Sequence, residues 1–401
     1  MAQFVRIFAK SCSHCSFSQI RGDEMHMPSE PSLSAPVLEC PLGDVYRVVL
    51  PPPDPSGLES GVLPYLPGFR DFLTSWVVVT EKWSLVVDVG PSSTIPFLLE
   101  SLSEIGVDSG CNKGKDLFVL LTHVHIDHSG GLGDFISAFP NAKIEVHPRG
   151  RPHLIDPSGL WRGSVETLGD LARAYGPIRG VPEESILKAS PDEIQSESCG
   201  PRDLPEEVRI IATPGHSSHH QSYLVHMGKE RILFLGEAAG IYLGEKGNFC
   251  GSERDGRGSE SPYLRPATPP RFFYDIYLES LKSLAQFEPS FMCYGHFGYT
   301  DDSGVLLGEE KQLGLWKDII WDEVSRISRS EAFCLRDQGQ LDLNSDSVVD
   351  RILERLLSED PQLEGFCSLP QDISLREAYF LRNSIKGFVG HIESAVQKGK
   401  V

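Results

Sequence analysis

The chain reads as an α/β protein that carries an all-helical C-terminal module, and three observations lead there. Short apolar runs alternate with helix-length amphipathic segments from Val45 to Tyr294, the pattern of strands joined by helices. Four segments rich in His, Asp, Glu and Gly directly follow four of those runs, where open α/β sheets place their ligands. Past about Asp301 the strand signals stop and amphipathic helical stripes take over.

The bulk properties narrow the class. At 401 residues the chain is long enough for two or three domains, or one large domain with an appendage. Lys plus Arg number 37 and Asp plus Glu 56, a net charge of −19. An acidic surface of that size repels phosphate backbones, so a small molecule is the expected partner and nucleic acid is not. No apolar run is long enough to span a bilayer, and the N-terminus has no continuous apolar segment of the secretory kind. The nine cysteines are odd in number and scattered, which favours reduced thiols and a cytoplasmic setting. Cys12 and Cys15 are spaced as a metal or redox pair, but no second ligand pair follows, and residues 1–36 are rich in Ser, Pro and Met without periodicity. That segment reads as a disordered tail with incidental cysteines.

Residues 37–300 read as one strand-bearing domain. Val45–Leu50 is a strand that ends at three prolines, and Trp76–Thr80 with Ser84–Val89 reads as a hairpin. Helical spacing follows over Ile95–Ile105, then a buried strand over Leu117–Leu121, a helix over Ser129–Phe139 and a strand over Ala142–Val146. In residues 149–200, Trp161, Val165, Leu168, Leu171 and Tyr175 recur at helical intervals, a helical insertion placed to act as a lid. Strands return at Val208–Ala212, Gln221–Val225, Arg231–Leu235 and Ser290–Tyr294, with a Gly- and Ser-rich mobile loop at 244–261. The segment Tyr263–Phe273 reads equally as a pocket wall of guanidinium and aromatic groups or as a surface loop before a helix over 275–287. Residues 301–401 carry three stripes, one through Leu313, Trp316, Ile320, Val324 and Ile327, one through Val348–Leu357, and one through Leu375–Val396. These faces suit core packing or a homodimer contact.

The densest chemical signal is Thr122-His123-Val124-His125-Ile126-Asp127-His128, followed by Ser129-Gly130-Gly131. Neutral imidazole and carboxylate are ligands for Zn²⁺, Fe and Mn²⁺. His123 and His125 alternate and so point the same way in extended chain, whereas Asp127 and His128 follow the turn and can face a second metal position. Three further strand ends each add one candidate beside a glycine: His216 in Thr213-Pro214-Gly215-His216, Glu237 in Gly236-Glu237, and His296 in Gly295-His296. His219 and His220 are alternative ligands or supporting donors, and His147, His153, His226 and His391 read as structural or solvated.

This constellation resembles the metallo-β-lactamase superfamily, and within it the glyoxalase II-like hydrolases. The resemblance covers roughly residues 40–300. It implies an αβ/βα sandwich, two mixed sheets between helices, with two divalent ions at one edge, zinc in the first place and iron or manganese as alternatives. By position, His123, His125 and His216 would hold the first ion, and Asp127, His128 and His296 the second. The family's bridging aspartate falls at Glu237, one methylene longer, so a bridge requires the backbone to retreat there or Glu237 to serve one ion only. Asp88 matches a strand-end acid that orients a ligand by hydrogen bond. The implied activity is attack of a metal-activated hydroxide on a small ester, thioester or lactone, with Asp127 as catalytic proton shuttle. The alternatives are a mononuclear iron oxidative enzyme of the persulfide dioxygenase kind and a non-enzymatic metal-binding sensor.

Overall fold

A computed structural model describes residues 36–53, 66–108, 115–188, 203–243, 263–269, 272–334 and 342–397. The tail through residue 35, with Cys12 and Cys15, and the 244–261 loop lie outside the described residues.

Two mixed sheets form the frame. The first holds β1 (Leu38–Cys40), β2 (Gly43–Val49), β3 (Thr74–Thr80), β4 (Trp83–Val87), β5 (Asp116–Leu120) and β6 (Lys143–Glu145) in sequential order. β1 to β4 pair antiparallel; β4, β5 and β6 run parallel. The second holds β7 (Val208–Ala212), β8 (Gln221–Met227), β9 (Glu230–Gly236), β12 (Phe291–Tyr294) and β13 (Tyr299–Thr300), in the order β13-β12-β9-β8-β7. β9 and β12 are its parallel pair. The parallel connections are made by helices, as geometry demands: α1 (Ile95–Glu104) joins β4 to β5, α2 (Ile126–Ser129) and α3 (Leu132–Ala138) join β5 to β6, and α7 (Tyr274–Ala285) precedes β12.

Alternation along the strands explains the layering. Trp76, Val78, Leu85, Val87, Phe118 and Leu120 of the first sheet pack against Tyr223, Val225, Met227, Ile232 and Phe234 of the second, making an apolar seam between the sheets. The intervening residues, Val77, Val86, Val119, Leu224, Leu233 and Met292, turn outward into a second core shared with the helices. Strands buried on both faces read as continuous apolar runs, which is why β3 to β5 and β9 stand out in the sequence. The expected αβ/βα sandwich is present. The helix expected over Ser129–Phe139 is present as α3, and Ser129 instead ends the short α2 that carries Asp127 and His128.

The 149–200 region supplies three short helices, α4 (Arg151–Ile155), α5 (Ser158–Leu168) and α6 (Asp170–Tyr175). Leu171 and Tyr175 sink into the core, whereas α5 has no buried residue. β10 (Ile241–Leu243) and β11 (Tyr263–Arg265) form a small antiparallel ribbon. For Tyr263 and Arg265 this replaces both the pocket-wall and the surface-loop reading, since both are buried and bond to Glu377 in the last helix, while residues 270 and 271 lie outside the described residues. Three-residue strands are too short to declare a period.

The C-terminal helices are α8 (Gly304–Cys334), α9 (Asp346–Glu359) and α10 (Gln371–Gln397). Their stripes are buried within the chain itself: Leu313, Trp316 and Ile320, then Val349, Ile352 and Leu356, then Leu381, Ile385 and Phe388 all join the core that holds the outer faces of the sheets. Asp360, at the end of α9, accepts from Trp316 Nε1 at 2.6 Å and from Gln312 Nε2 at 2.7 Å. That fixes α9 on α8 with charge-assisted bonds.

Candidate metal centre

Strand-end loops at one edge of the sandwich build the site. β4 ends into Asp88, which sits at φ 57°, a left-handed conformation that costs a non-glycine residue energy and persists only where the surroundings enforce it. Here the enforcement is visible. The Asp88 carboxylate accepts from Thr122 N at 2.8 Å, from Thr122 Oγ1 at 2.7 Å and from His128 Nδ1 at 2.9 Å. One buried acid therefore holds both ends of the His123–His128 loop.

The ligand-type atoms converge. His125 Nδ1 lies 2.9 Å from His123 Nε2 and 3.0 Å from His216 Nε2. Glu237 Oε2 lies 2.9 Å from His216 Nε2, 3.3 Å from His123 Nε2 and 3.6 Å from His128 Nε2. Its other oxygen lies 3.6 Å from His296 Nε2, which is 3.6 Å from Asp127 Oδ2. Two groups result, His123, His125, His216 and Glu237 in one, Asp127, His128 and His296 in the other, with donor atoms within 4.8 Å of one another in each. All seven residues singled out in the sequence meet here, and Glu237 faces both groups.

The outer hydrogen bonds set the tautomers. His216 Nδ1 donates to Ala267 O at 2.8 Å and His128 Nδ1 to Asp88. In the neutral rings this leaves the lone pair on Nε2, aimed inward. His128 Nε2 is buried with no hydrogen-bond partner, an arrangement rarely left unexplained in a folded interior. A cation held by these lone pairs would account for it. The donor set, imidazole nitrogens plus carboxylate oxygens, suits a divalent ion.

Charge points the same way. Burial pushes His125 and His296 down to about 3, so both rings are neutral ligands at any physiological pH. Burial would also discharge His128, but the Asp127 and Asp88 carboxylates hold its pKa well above the usual imidazole range. His216 is raised in spite of burial by Glu237. Burial opposes the charge on Glu237, yet His216 and the other imidazoles facing it keep its carboxyl well below its ordinary range. Buried carboxylates thus draw protons onto two imidazoles, and a divalent ion would take over that positive charge.

The backbone of Glu237 is held from both sides. Glu237 N donates to His220 Nε2 at 3.1 Å, and Glu237 O accepts from the Tyr277 hydroxyl at 2.9 Å. The preceding Gly236 has φ +57°, and a Cβ there would lie 2.6 Å from His220 Nε2 and 2.8 Å from Thr122 Cβ. The pairing of β9 with β12 shifts register between Cys293 and Tyr294, next to that glycine. His220 is therefore occupied as a support: its Nδ1 shares a proton with Thr213 Oγ1 at 2.8 Å and its Nε2 faces Glu237 N. His219 stands farther off, its ring centre 6.3 Å from that of His125. Tyr277, the Ala267 carbonyl and Phe72, which stacks on His296, gave no sequence signal, because each acts through a contact between residues far apart in the chain.

The chain is similar to several known proteins. The chain is 28% identical over 236 residues to a metallo-beta-lactamase fold-containing protein, ST1585, of Sulfurisphaera tokodaii, a match covering 57% of this chain and 74% of that one. It is 25% identical over 167 residues to a hydroxyacylglutathione hydrolase of Prochlorococcus marinus, covering 40% of this chain and 48% of that enzyme. Among solved structures, a metallo-beta-lactamase family protein of Thermus thermophilus, TTHA1429, aligns with a TM-score of 0.47 at 17% identity, over 88% of this chain and 94% of that one. The profile of the metallo-beta-lactamase superfamily matches residues 69–296, more than half of the chain and a span that contains every candidate ligand. With a superfamily match of that extent over an αβ/βα sandwich whose strand-end loops gather five imidazoles and two carboxylates at one edge, the chain belongs to the metallo-β-lactamase superfamily.

Proposed function

We propose that this protein is a metal-dependent hydrolase of small esters, thioesters or lactones, working with two divalent ions, zinc in the first instance. The observation that carries the reading is the convergence of seven donor atoms in two adjoining groups, with Glu237 facing both. His123, His125 and His216 would hold one ion and Asp127, His128 and His296 the other. When bound, such a pair would supply hydroxide chemistry at neutral pH and Lewis-acid polarisation of a carbonyl. Asp127, the most exposed of the carboxylates here at 21% for its side chain, would accept the nucleophile's proton and return it to the leaving group. Asp88 keeps His128 in the tautomer that binds. The likeness to hydroxyacylglutathione hydrolases supports a hydrolytic reading, and the net charge of −19 favours small substrates over nucleic acid.

The test is metal analysis of the purified protein together with hydrolysis of a panel of thioesters, lactones and aryl esters before and after chelation. Zinc-restored turnover, with Asp127→Asn lowering kcat by about 10²–10⁴, is expected. Protein that holds no metal and hydrolyses equally well in chelator would overturn the reading. Oxygen uptake on a persulfide substrate, without hydrolysis of the panel, would replace it with an oxidative one.

A further inference from the structure

The five imidazoles of the site are not held alike. His123, His128 and His216 each have the outer nitrogen hydrogen-bonded, to Thr122, Asp88 and Ala267 respectively. His296 does not: its Nδ1 is buried without a hydrogen-bond partner. Hydrogen bonding normally fixes the plane of a ligating imidazole. At His296 the plane is fixed by stacking instead. The Phe72 ring lies parallel to it, with centres 4.0 Å apart and planes 6° from coincidence.

The other face of that stack belongs to α10. The Arg376 guanidinium carbon lies 4.3 Å from the Phe72 ring centre and 4.5 Å from that of Phe297. Phe380, four residues on and so on the same face of the helix, adds a second ring against Phe72, with centres 5.6 Å apart. Arg376 is itself immobilised. It is 0% exposed, its Nε donates to Glu377 Oε1 at 3.0 Å, and it also donates to the Gly68 carbonyl. The 66–69 turn before Phe72 is pressed onto α10 so closely that a Cβ at Gly68 would lie 2.2 Å from the Asp372 carbonyl oxygen. Phe297, next to His296, takes φ 62° and is pinned by its N–H to Phe72 O at 3.0 Å.

From this layering we infer that α10 is a splint for the second metal position, with Arg376 and Phe72 as positioning residues that orient His296. The inference rests on the metal-dependent reading of the site. It assigns the C-terminal helices a part in the centre that their distance in sequence conceals. A ring held by stacking can tilt when the stack is thinned, and a tilted His296 no longer aims Nε2 at the ion shared with Asp127 and His128. The first position, whose ligands are fixed by other loops, does not feel the change.

The experiment measures zinc stoichiometry and the two stepwise affinities, by competition with a chromophoric chelator, for the full-length protein and for Arg376→Met, Phe72→Leu and the reference variant His296→Ala. Arg376→Met and Phe72→Leu should each weaken the second binding step about 10–100-fold, the range for residues that orient a ligand, and leave the first within a factor of about three. Phe72→Leu keeps most of the apolar volume, so it serves if the arginine variant folds poorly. Equal loss of both steps would overturn the splint in favour of a general structural effect, and so would an unchanged second step. Wild-type protein that takes up no zinc would instead overturn the metal-dependent reading itself.

Discussion

Replacing Glu309 by glutamine should change how stability depends on pH, in a direction and by an amount that the structure sets. Glu309 lies on α8, one layer behind the metal centre. Both carboxyl oxygens are buried without a hydrogen-bond partner. Gly240 comes so close that a Cβ there would lie 2.9 Å from each of them. The nearby Tyr277 hydroxyl has already committed its proton to Glu237 O. Burial, reinforced by Asp360, pushes the Glu309 carboxyl up to about 8 from its ordinary 4.5. The folded chain thus keeps this proton while the unfolded chain loses it. Because the folded value is raised, the contribution to stability is complete below pH 4.5 and lost as pH rises through about 8. At about 1.4 kcal/mol for each pH unit, that window has a ceiling of roughly 5 kcal/mol. That is a large part of the ~5–15 kcal/mol that holds a domain together. Glutamine has the same shape and no proton to lose. Urea unfolding of wild type and Glu309→Gln, both in chelator, at pH 5, 6, 7 and 8 should show the variant gaining on wild type by about 1 kcal/mol per pH unit. Any fixed cost of burying the amide cancels in the slope. Two parallel stability curves would refute the argument, since they would mean that Glu309 ionises as readily folded as unfolded.

Three other outcomes are expected. Glu237→Asp withdraws the carboxylate by about 1.5 Å, one carbon–carbon bond, because His220 and Tyr277 pin the backbone at both ends of the residue; calorimetric titration should show zinc binding weakened, above all at the position of His123, His125 and His216, whose nitrogens the carboxylate approaches most closely, and unchanged binding would show that the loop is free to follow. Asp88→Ala removes the group that fixes His128 and Thr122, so zinc affinity should fall about 10–100-fold, as read by chelator competition. Zinc affinity should also rise with pH across the neutral range, because the ion displaces protons from His128 and His216, both raised above the usual imidazole value by neighbouring carboxylates; titrations in buffers of different ionisation heat should report protons released, and binding indifferent to pH would count against the charge scheme.

Much of the site is legible in the sequence because ligands of this kind follow strands, and strands buried on both faces announce themselves. Leu117–Leu121 places His123, Val208–Ala212 places His216, and Ser290–Tyr294 places His296, each without help from the rest of the chain. What escapes notice acts across long separations. Ala267 meets His216 across 51 positions, and Arg376 meets Gly68 across 308. No local period encodes such contacts. The short ribbon of β10 and β11 escapes for a different reason: three residues cannot show alternation, and the Arg265–Glu377 pair makes a buried strand look like a polar loop. The C-terminal stripes are legible as helices, but a stripe does not say what it faces; here Trp316 and Phe388 face the same core as the outer sheet strands.

The departure at Glu237 shows how the parts depend on one another. A longer acid would overreach if its backbone stood where a shorter one's does. The shift in register of β12 against β9, the left-handed Gly236 and the His220 ring each act on that backbone, and Tyr277 holds it from the other side. Tyr277 in turn packs over Gly215, where a Cβ would lie 2.4 Å from the tyrosine Cα, and Gly215 precedes His216. The residue that steadies the carboxylate is thus wedged against the loop that carries a histidine of the first group. Moving one requires moving the other, so the position of Glu237 is held by a connected set of contacts.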